Sequence, residues 1–379
     1  MRGTLVGLLA LVCIVATAGI VVTLAPATTA SPSVIEPPPG EAESVDMQAV
    51  TGDFGALVSA SETTLRVDAE RIQLEVKVAN TDDQAEIDQV IDAFLTRLEA
   101  EARLFDTRTA EKATVPRDER LDGRLLVDEL LAQQHLAITR IASLDDLEPL
   151  IGHRGDTQRI AELYQLSTSP ARESLLDAQL DPTTNRVATM RVTNESVMLA
   201  TVTDGTYHRE MRRMDLRSDG DRDTVEHLSV AEEIVIDQYP DTTDTRALSR
   251  FADNVYVVER TAPWGVVDAF VDGIYEAVFL ERHRHWLTEV TFEETTSVEG
   301  NNLVVEASRT FPSGPMQIAV TDQEGGAVDA SVYIRVDGRW IQLGSTGTDG
   351  TLWAVEPPDD FDIRVVTRSE TVTLSVAGS

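Results

Sequence analysis

Residues 4–25 read TLVGLLALVCIVATAGIVVTLA, without a single charge. At 1.5 Å per residue such a run makes about 30 Å of helix, enough to cross a hydrocarbon core. It exceeds the roughly 7–15 apolar residues of a cleavable signal. Yet Ala25-Pro26-Ala27 and Thr28-Thr29-Ala30 follow it as small-residue steps of the kind signal peptidases cut. Residues 1–30 therefore read as a signal peptide or an N-terminal membrane anchor, and both readings stay open. Arg2 precedes the run and Glu36 is the first charge after it. Positive-inside bias then places the rest of the chain on the outer side, as a single-pass protein with extracellular domains, or secreted if the signal is cut. Cys13, the only cysteine, lies within the run, so no intramolecular disulfide and no cysteine metal site can form. Whatever folds outside must rely on its core.

Acids exceed bases by 33, and Lys77 and Lys112 are the only lysines. A charge this high would mean self-repelling disorder in a polar chain, but a 42% hydrophobic content supports folded domains. Scarce lysine with abundant Asp, Glu, Thr and Val resembles haloarchaeal proteins as a group, whose acidic surfaces are screened by molar salt. The same negative field excludes non-specific binding to nucleic acid.

Residues 31–50 are rich in Pro, Ser and Thr and read as an extended stalk. Residues 51–180 carry helical spacing and read as a helical bundle. Ser61 is a candidate cap for a first helix with Leu65, Ala69, Ile72, Val76 and Ala79 on its core face. Ile72, Leu74, Val76 and Val78 also alternate, which keeps a strand open there. Asp82 or Asp83 caps the next helix, striped by Ile87, Ile91, Phe94, Leu98 and Phe105. Leu126, Leu130, Ala137, Ile141 and Leu144 stripe a third. Gly152 and Gly155 separate it from a short helix over 158–166, and Ser169-Pro170 opens another as cap and first helical residue. The stripes are wide enough for self-packing, with a partner-binding coiled coil as the other reading.

From 181 to 295 the period becomes two, with strands expected over 187–192, 197–202 and 207–216. A helix over 225–239, ended by Pro240, precedes strands 255–259, 266–271 and 275–287, giving a small α+β domain. Residues 296–379 read as a β-sandwich, with Asp337-Gly338 and Asp349-Gly350 as hairpin turns. The expected fold class is thus multidomain α+β.

Three resemblances go with this order. The helix followed by WGVVDAFVDGIYEAVF is similar to the PepSY domain, although Gly273-Ile274 stands where that domain usually has Thr-Gly. GGAVDASVYI, GSTGTDGTLWAVEPP and FDIRVV resemble immunoglobulin-like, carboxypeptidase-regulatory-like sandwiches. That likeness implies a core of Val328, Ala330, Val332 and Ile334, with Trp353 packed beneath the turn at Gly350. Together with the anchor, YHREM and SRTFPSGPMQIAVTD, the chain resembles an uncharacterised haloarchaeal envelope family, which has no assigned catalytic residues.

Candidate chemistry is sparse. Glu281, His283 and His285 share one face of a strand and could hold a metal. With Val278, Leu280 and Trp286 as the core face, those three are expected on the solvated side. Asp219, Asp221 and Asp223 alternate like the start of a calcium loop, but Thr224 and Val230 replace its glycine and glutamate. Asn194-Glu195-Ser196 is a glycosylation sequon. Phosphate-binding loops, nucleophile elbows and metalloprotease helices are missing from the sequence. These readings imply no enzyme and no cofactor. The expected role is a membrane-tethered extracytoplasmic protein of a halophile envelope, non-catalytic, interacting with a protein or envelope partner. The alternatives are a PepSY-like regulator of an extracellular peptidase and a hydrolase whose site is assembled from distant residues.

Overall fold

A computed structural model describes residue 34 and residues 44–113, 124–151, 155–181, 185–218, 228–251, 254–300, 302–336 and 338–378. The apolar run at 4–25 and the Asp219, Asp221, Asp223 turn lie outside these residues. Among the described residues no helix is long and apolar enough to cross a membrane.

The first element is a strand, β1 (Ser44–Thr51), in the stretch read as stalk. It pairs antiparallel with β2 (Asn185–Val192), and its Met47 and Val50 are buried. Five helices follow: α1 (Phe54–Ala79), α2 (Gln84–Ala113), α3 (Arg124–Ile151), α4 (Gly155–Gln165) and α5 (Pro170–Leu180). Asp53 caps α1 by accepting from Gly55 N at 2.7 Å, so this helix starts well before Ser61. Asp83 caps α2, and Ser169 caps α5 with Pro170 at its first turn, as expected. The α2 and α3 stripes are buried, apart from the half-buried Ile87 and Ile141. The stripe on α1 is the reverse of what the spacing suggested. Val67 and Leu74 are its buried residues, while Leu65, Ile72 and Val76 face outward.

The helices cover one face of an eight-stranded antiparallel sheet. Its other members are β3 (Ser196–Thr203), β4 (Thr206–Arg213), β5 (Asp244–Arg250), β6 (Val255–Ala262), β7 (Gly265–Asp272) and β8 (Ala277–Trp286). Strand order is β1-β2-β3-β4-β8-β7-β6-β5. On the helical face, Leu126, Leu130, Leu175 and Leu176 pack on Ala188, Met190, Val197 and Leu199. Phe270, Phe279 and Leu280 join the cluster formed by α2, α3 and α4.

The other face is covered too. α6 (Leu228–Gln238) lies over β6, β7 and β8 through Ala231, Val235 and the adjacent Tyr239. Beyond it sits the C-terminal sandwich, with sheets β14-β11-β10-β9 and β13-β12-β15-β16. These strands are β9 (Glu294–Glu299), β10 (Leu303–Arg309), β11 (Pro315–Asp322), β12 (Ser331–Val336), β13 (Arg339–Ser345), β14 (Thr351–Val355), β15 (Phe361–Val366) and β16 (Thr371–Val376). Ala330, Val332 and Ile334 are buried and Val328 half-buried in its core, as the sandwich resemblance implied. Met47 and Val187 of the large sheet belong to the same cluster, so the two layers share a core. Burial on both faces explains why β3 and β7 read as almost unbroken apolar runs.

Two expectations for the sandwich change. Gly338 lies in the β12–β13 connection with φ 75°, but Asp349-Gly350 closes no hairpin, since β13 and β14 belong to different sheets. Trp353 is half-buried rather than central. It stacks on Phe292, ring centroids 5.8 Å apart, in the cluster where the sandwich meets Ala200 and Tyr207 of the large sheet.

Candidate functional site

The two halves of the large sheet meet at one strand pair, β4 with β8. Tyr207 pairs with His285, Arg209 with His283 and Met211 with Glu281. Residues directly opposite share a face, so these six side chains point toward α6 and the sandwich. Glu210 pairs with Arg282 and His208 with Arg284, and these face the helices. A register shift at Phe270/Val271 leaves Phe279 as the extra residue of β8, and both Phe279 and Leu280 pack on the helical side.

Glu281, His283 and His285 do share one face, but they are buried, not solvated. The alternation was right. The expectation of solvent on that side fails because α6, Trp264 and Phe311 cover it. Glu281 accepts from the Arg209 guanidinium and, at 2.5 Å, from the Tyr239 hydroxyl. His283 Nε2 lies 3.0 Å from the same carboxylate. His283 Nδ1 is 3.3 Å from His285 Nε2, and Trp264 lies over the His285 ring at 4.3 Å. Burial alone would raise the Glu281 pKa. The charges of His283 and Arg209, with the bonds from His283 and Tyr239, outweigh it and hold the carboxyl at about 2. Burial pushes His285 well below the usual histidine range, so it is neutral. Burial and the adjacent Glu281 push the Tyr239 hydroxyl far up, so it stays a donor.

Among the described residues, no group of three His, Cys, Asp or Glu is arranged to hold a metal ion. At Glu281, His283 and His285 the counter-charge comes from the Arg209 guanidinium.

A second buried cluster lies on the helical face. The Arg172 Nη2 and Nε donate to Glu210 at 2.6 and 3.1 Å. Arg172 also donates to Ser167 O at 3.1 Å, Arg282 to Gln165 O and Leu166 O at 2.9 and 3.0 Å, and Arg212 to Leu166 O. Three guanidiniums thus gather where α4 ends. There the carbonyls at and just beyond its C-terminus and the negative end of its dipole complement the single carboxylate of Glu210. Burial raises the Glu210 pKa, but Arg172, Arg212 and Arg282 outweigh it and keep the group ionised. Burial lowers Arg282 to about 10.

Sequence reasoning missed Arg172, Arg209, Glu210, Tyr239 and Arg282. The available signal was YHREM, a strand whose adjacent charges cannot both face water. The charged groups of the two clusters bind one another and backbone. An open groove of about 590 Å³ lined by Glu173, Asp177, Arg186, Asp204 and His208 includes none of them. Asn194 is exposed on the β2–β3 turn, while the sequon's Ser196 is buried with its hydroxyl 2.8 Å from that of Thr193.

Residues 294–374 match an archaeal fibronectin-III type-like domain, which agrees with the immunoglobulin-like sandwich. Residues 188–291 match a family of unknown function, DUF7094. That match spans the stretch likened to PepSY and all strands of the large sheet except β1 and the start of β2. No curated protein matches the chain, and no solved structure does.

Proposed function

We propose that this chain is a non-catalytic interaction or structural protein, tethered to or secreted across the membrane of a halophile. Its folded part would lie outside and hold a protein or envelope partner. One observation carries the reading: the groups best suited to acid–base or metal chemistry, Glu281, His283 and His285, are sealed and neutralised by neighbours. The fibronectin-III type-like match supports the same reading, because such sandwiches present surfaces. The tether rests on residues 4–25, and the halophile setting on the net charge of −33. A PepSY-like role docking a peptidase strand against the β6–β7 hairpin lacks a free edge, since β5 covers β6 and β8 covers β7.

Protease added to intact cells in iso-osmotic salt tests the topology. Degradation of the folded part, with the protein fractionating to membrane or medium, is expected. Full protection would refute the outward orientation.

A further inference from the structure

Among the described residues, the outward face of α1 carries an apolar seam that no other element covers. Leu65 is 69% exposed, Val76 53%, Ile72 50% and Val58 49%. Val58, Leu65, Ile72 and Ala79 recur every seven residues, and so do Glu62, Ala69 and Val76. The two rows alternate at steps of four and three, which is the pattern of a coiled-coil seam. From Val58 to Ala79 it runs along about 32 Å of helix. The opposite side of α1, through Val67 and Leu74, already packs in the bundle. The seam is therefore surplus to the monomer's core, and larger than scattered surface apolar residues would account for.

We infer that the seam pairs with α1 of a second copy of this chain, in parallel. The heptad seam finds its own match in a second copy, and charge selects the direction. Ser59, Arg66 and Gln73 flank the seam on one side, and Ser61, Asp68 and Glu75 on the other. In a parallel pair each flank meets the opposite flank of its mate, offset by five residues. Ser61 then meets Arg66 of the second copy, Asp68 meets Gln73, and Glu75 meets Asn80, with no like charges opposed along the flanks. An antiparallel pair with the same layers sets Asp68 against Asp68 and Arg66 against Arg66. The position of α1 agrees, since it follows β1 directly and β1 follows the apolar run at 4–25 and the Pro-rich residues after it. On the reading given above, those residues lead to the membrane, and two copies rising from one surface present their first helices in the same direction. Glu62 is the one charge at a seam position. In the parallel pair two Glu62 face each other, each one turn from an arginine at 66. Glu62 therefore weakens the pair and sets its register.

The test uses the full chain in detergent and 2–3 M KCl, where repulsion between two such acidic molecules is screened over about 2 Å. In a Cys13→Ser background, Leu65→Cys alone should form disulfide dimers on oxidation, while Leu104→Cys, exposed on α2, should not. Leu65→Glu with Ile72→Glu should abolish the dimer by sedimentation while leaving the melting midpoint in place. Glu62→Leu should tighten it at least tenfold. A monomeric wild type, or dimers indifferent to Leu65→Glu/Ile72→Glu, overturns the proposal. Cross-linking only between Leu65→Cys and Ala69→Cys chains overturns the parallel arrangement. The outward tether is read independently by protease accessibility, so either idea can fail without the other.

Discussion

Glu281→Gln isolates what the buried cluster between β4 and α6 does. The substitution keeps shape and leaves an oxygen for the Tyr239 hydroxyl, but removes the one negative charge beside Arg209 and His283. Arg209 is almost fully buried, so its charge cannot recover hydration without opening the strand pair. Stranding one partner of a buried ion pair costs about 3–5 kcal/mol. With a urea m-value of about 3 kcal/mol/M, that moves the unfolding midpoint by roughly 1 M or more. The assay is urea unfolding at pH 7 in 2 M KCl, followed by tryptophan fluorescence, to which Trp264 over His285 contributes. The double variant Arg209→Met/Glu281→Leu should recover most of the loss, because an apolar replacement of a buried pair is often neutral or better. A Glu281→Gln variant within about 0.5 kcal/mol of the parent, as expected for an ordinary surface site, would refute the burial argument.

Three further outcomes follow from the same geometry. Burial and Arg284 lower His208 to about 4, and burial holds His285 well below the usual histidine range, so as pH falls below about 6.5 the unfolded chain binds more protons than the folded one and stability is lost. Allowing for the partial exposure of His208, its share is about 1–2 kcal/mol. His208→Gln and His285→Phe should each flatten the midpoint difference between pH 7 and 5. Gly265→Ala should be severely destabilising, since a Cβ there would sit 1.8 Å from Arg284 O on β8; an unchanged thermal midpoint would contradict this contact. Trp353→Ala should cost about 1–2 kcal/mol, well under the 3–5 kcal/mol of a fully buried tryptophan, because it is only half-buried against Phe292. A loss of 3 kcal/mol or more by denaturant titration would place it in the core after all.

What was legible follows from what local spacing can carry. Ile91, Leu98 and Phe105 stripe α2, and Leu126, Leu130 and Leu144 stripe α3, because those helices have one apolar face each. α1 has two, and a single sequence cannot say which meets the bundle, so the larger residues Leu65 and Ile72 were assigned to the wrong side. β1 was read as stalk because SVDMQAVT follows a Pro-rich stretch, and its partner β2 lies more than 130 residues away in sequence. β5 was not anticipated, as an exposed edge strand with little apolar content. The candidate site was half legible. Alternation placed Glu281, His283 and His285 together, but which layer covers that face is decided by α6 and the sandwich. Arg172, whose salt bridge holds Glu210, comes from 38 residues earlier.

The position of the buried charges suggests why the fold keeps them. The sheet consists of β1 to β4 on one side and β5 to β8 on the other, and β4–β8 is the single ladder joining the halves. Those strands pair across the intervening residues 214–276, with apolar side chains available on both faces. An apolar ladder there would pack nearly as well after a two-residue slip, which keeps every side chain on its face. The charges remove that freedom. A slip of two would take Arg209 from its place beside Glu281 on one face, and Glu210 from Arg172 and the α4 carbonyls on the other. Each cluster costs desolvation energy, and in return only one register satisfies both. The Arg209→Met/Glu281→Leu variant should therefore keep most of the parent's stability by denaturant titration yet be less uniquely ordered. The expected signs are a weaker near-ultraviolet dichroism of Trp264 and faster amide exchange along 206–213 and 277–286. If the variant keeps parental exchange rates there, register is set elsewhere, and the Glu210 cluster beneath α4 becomes the one to remove next.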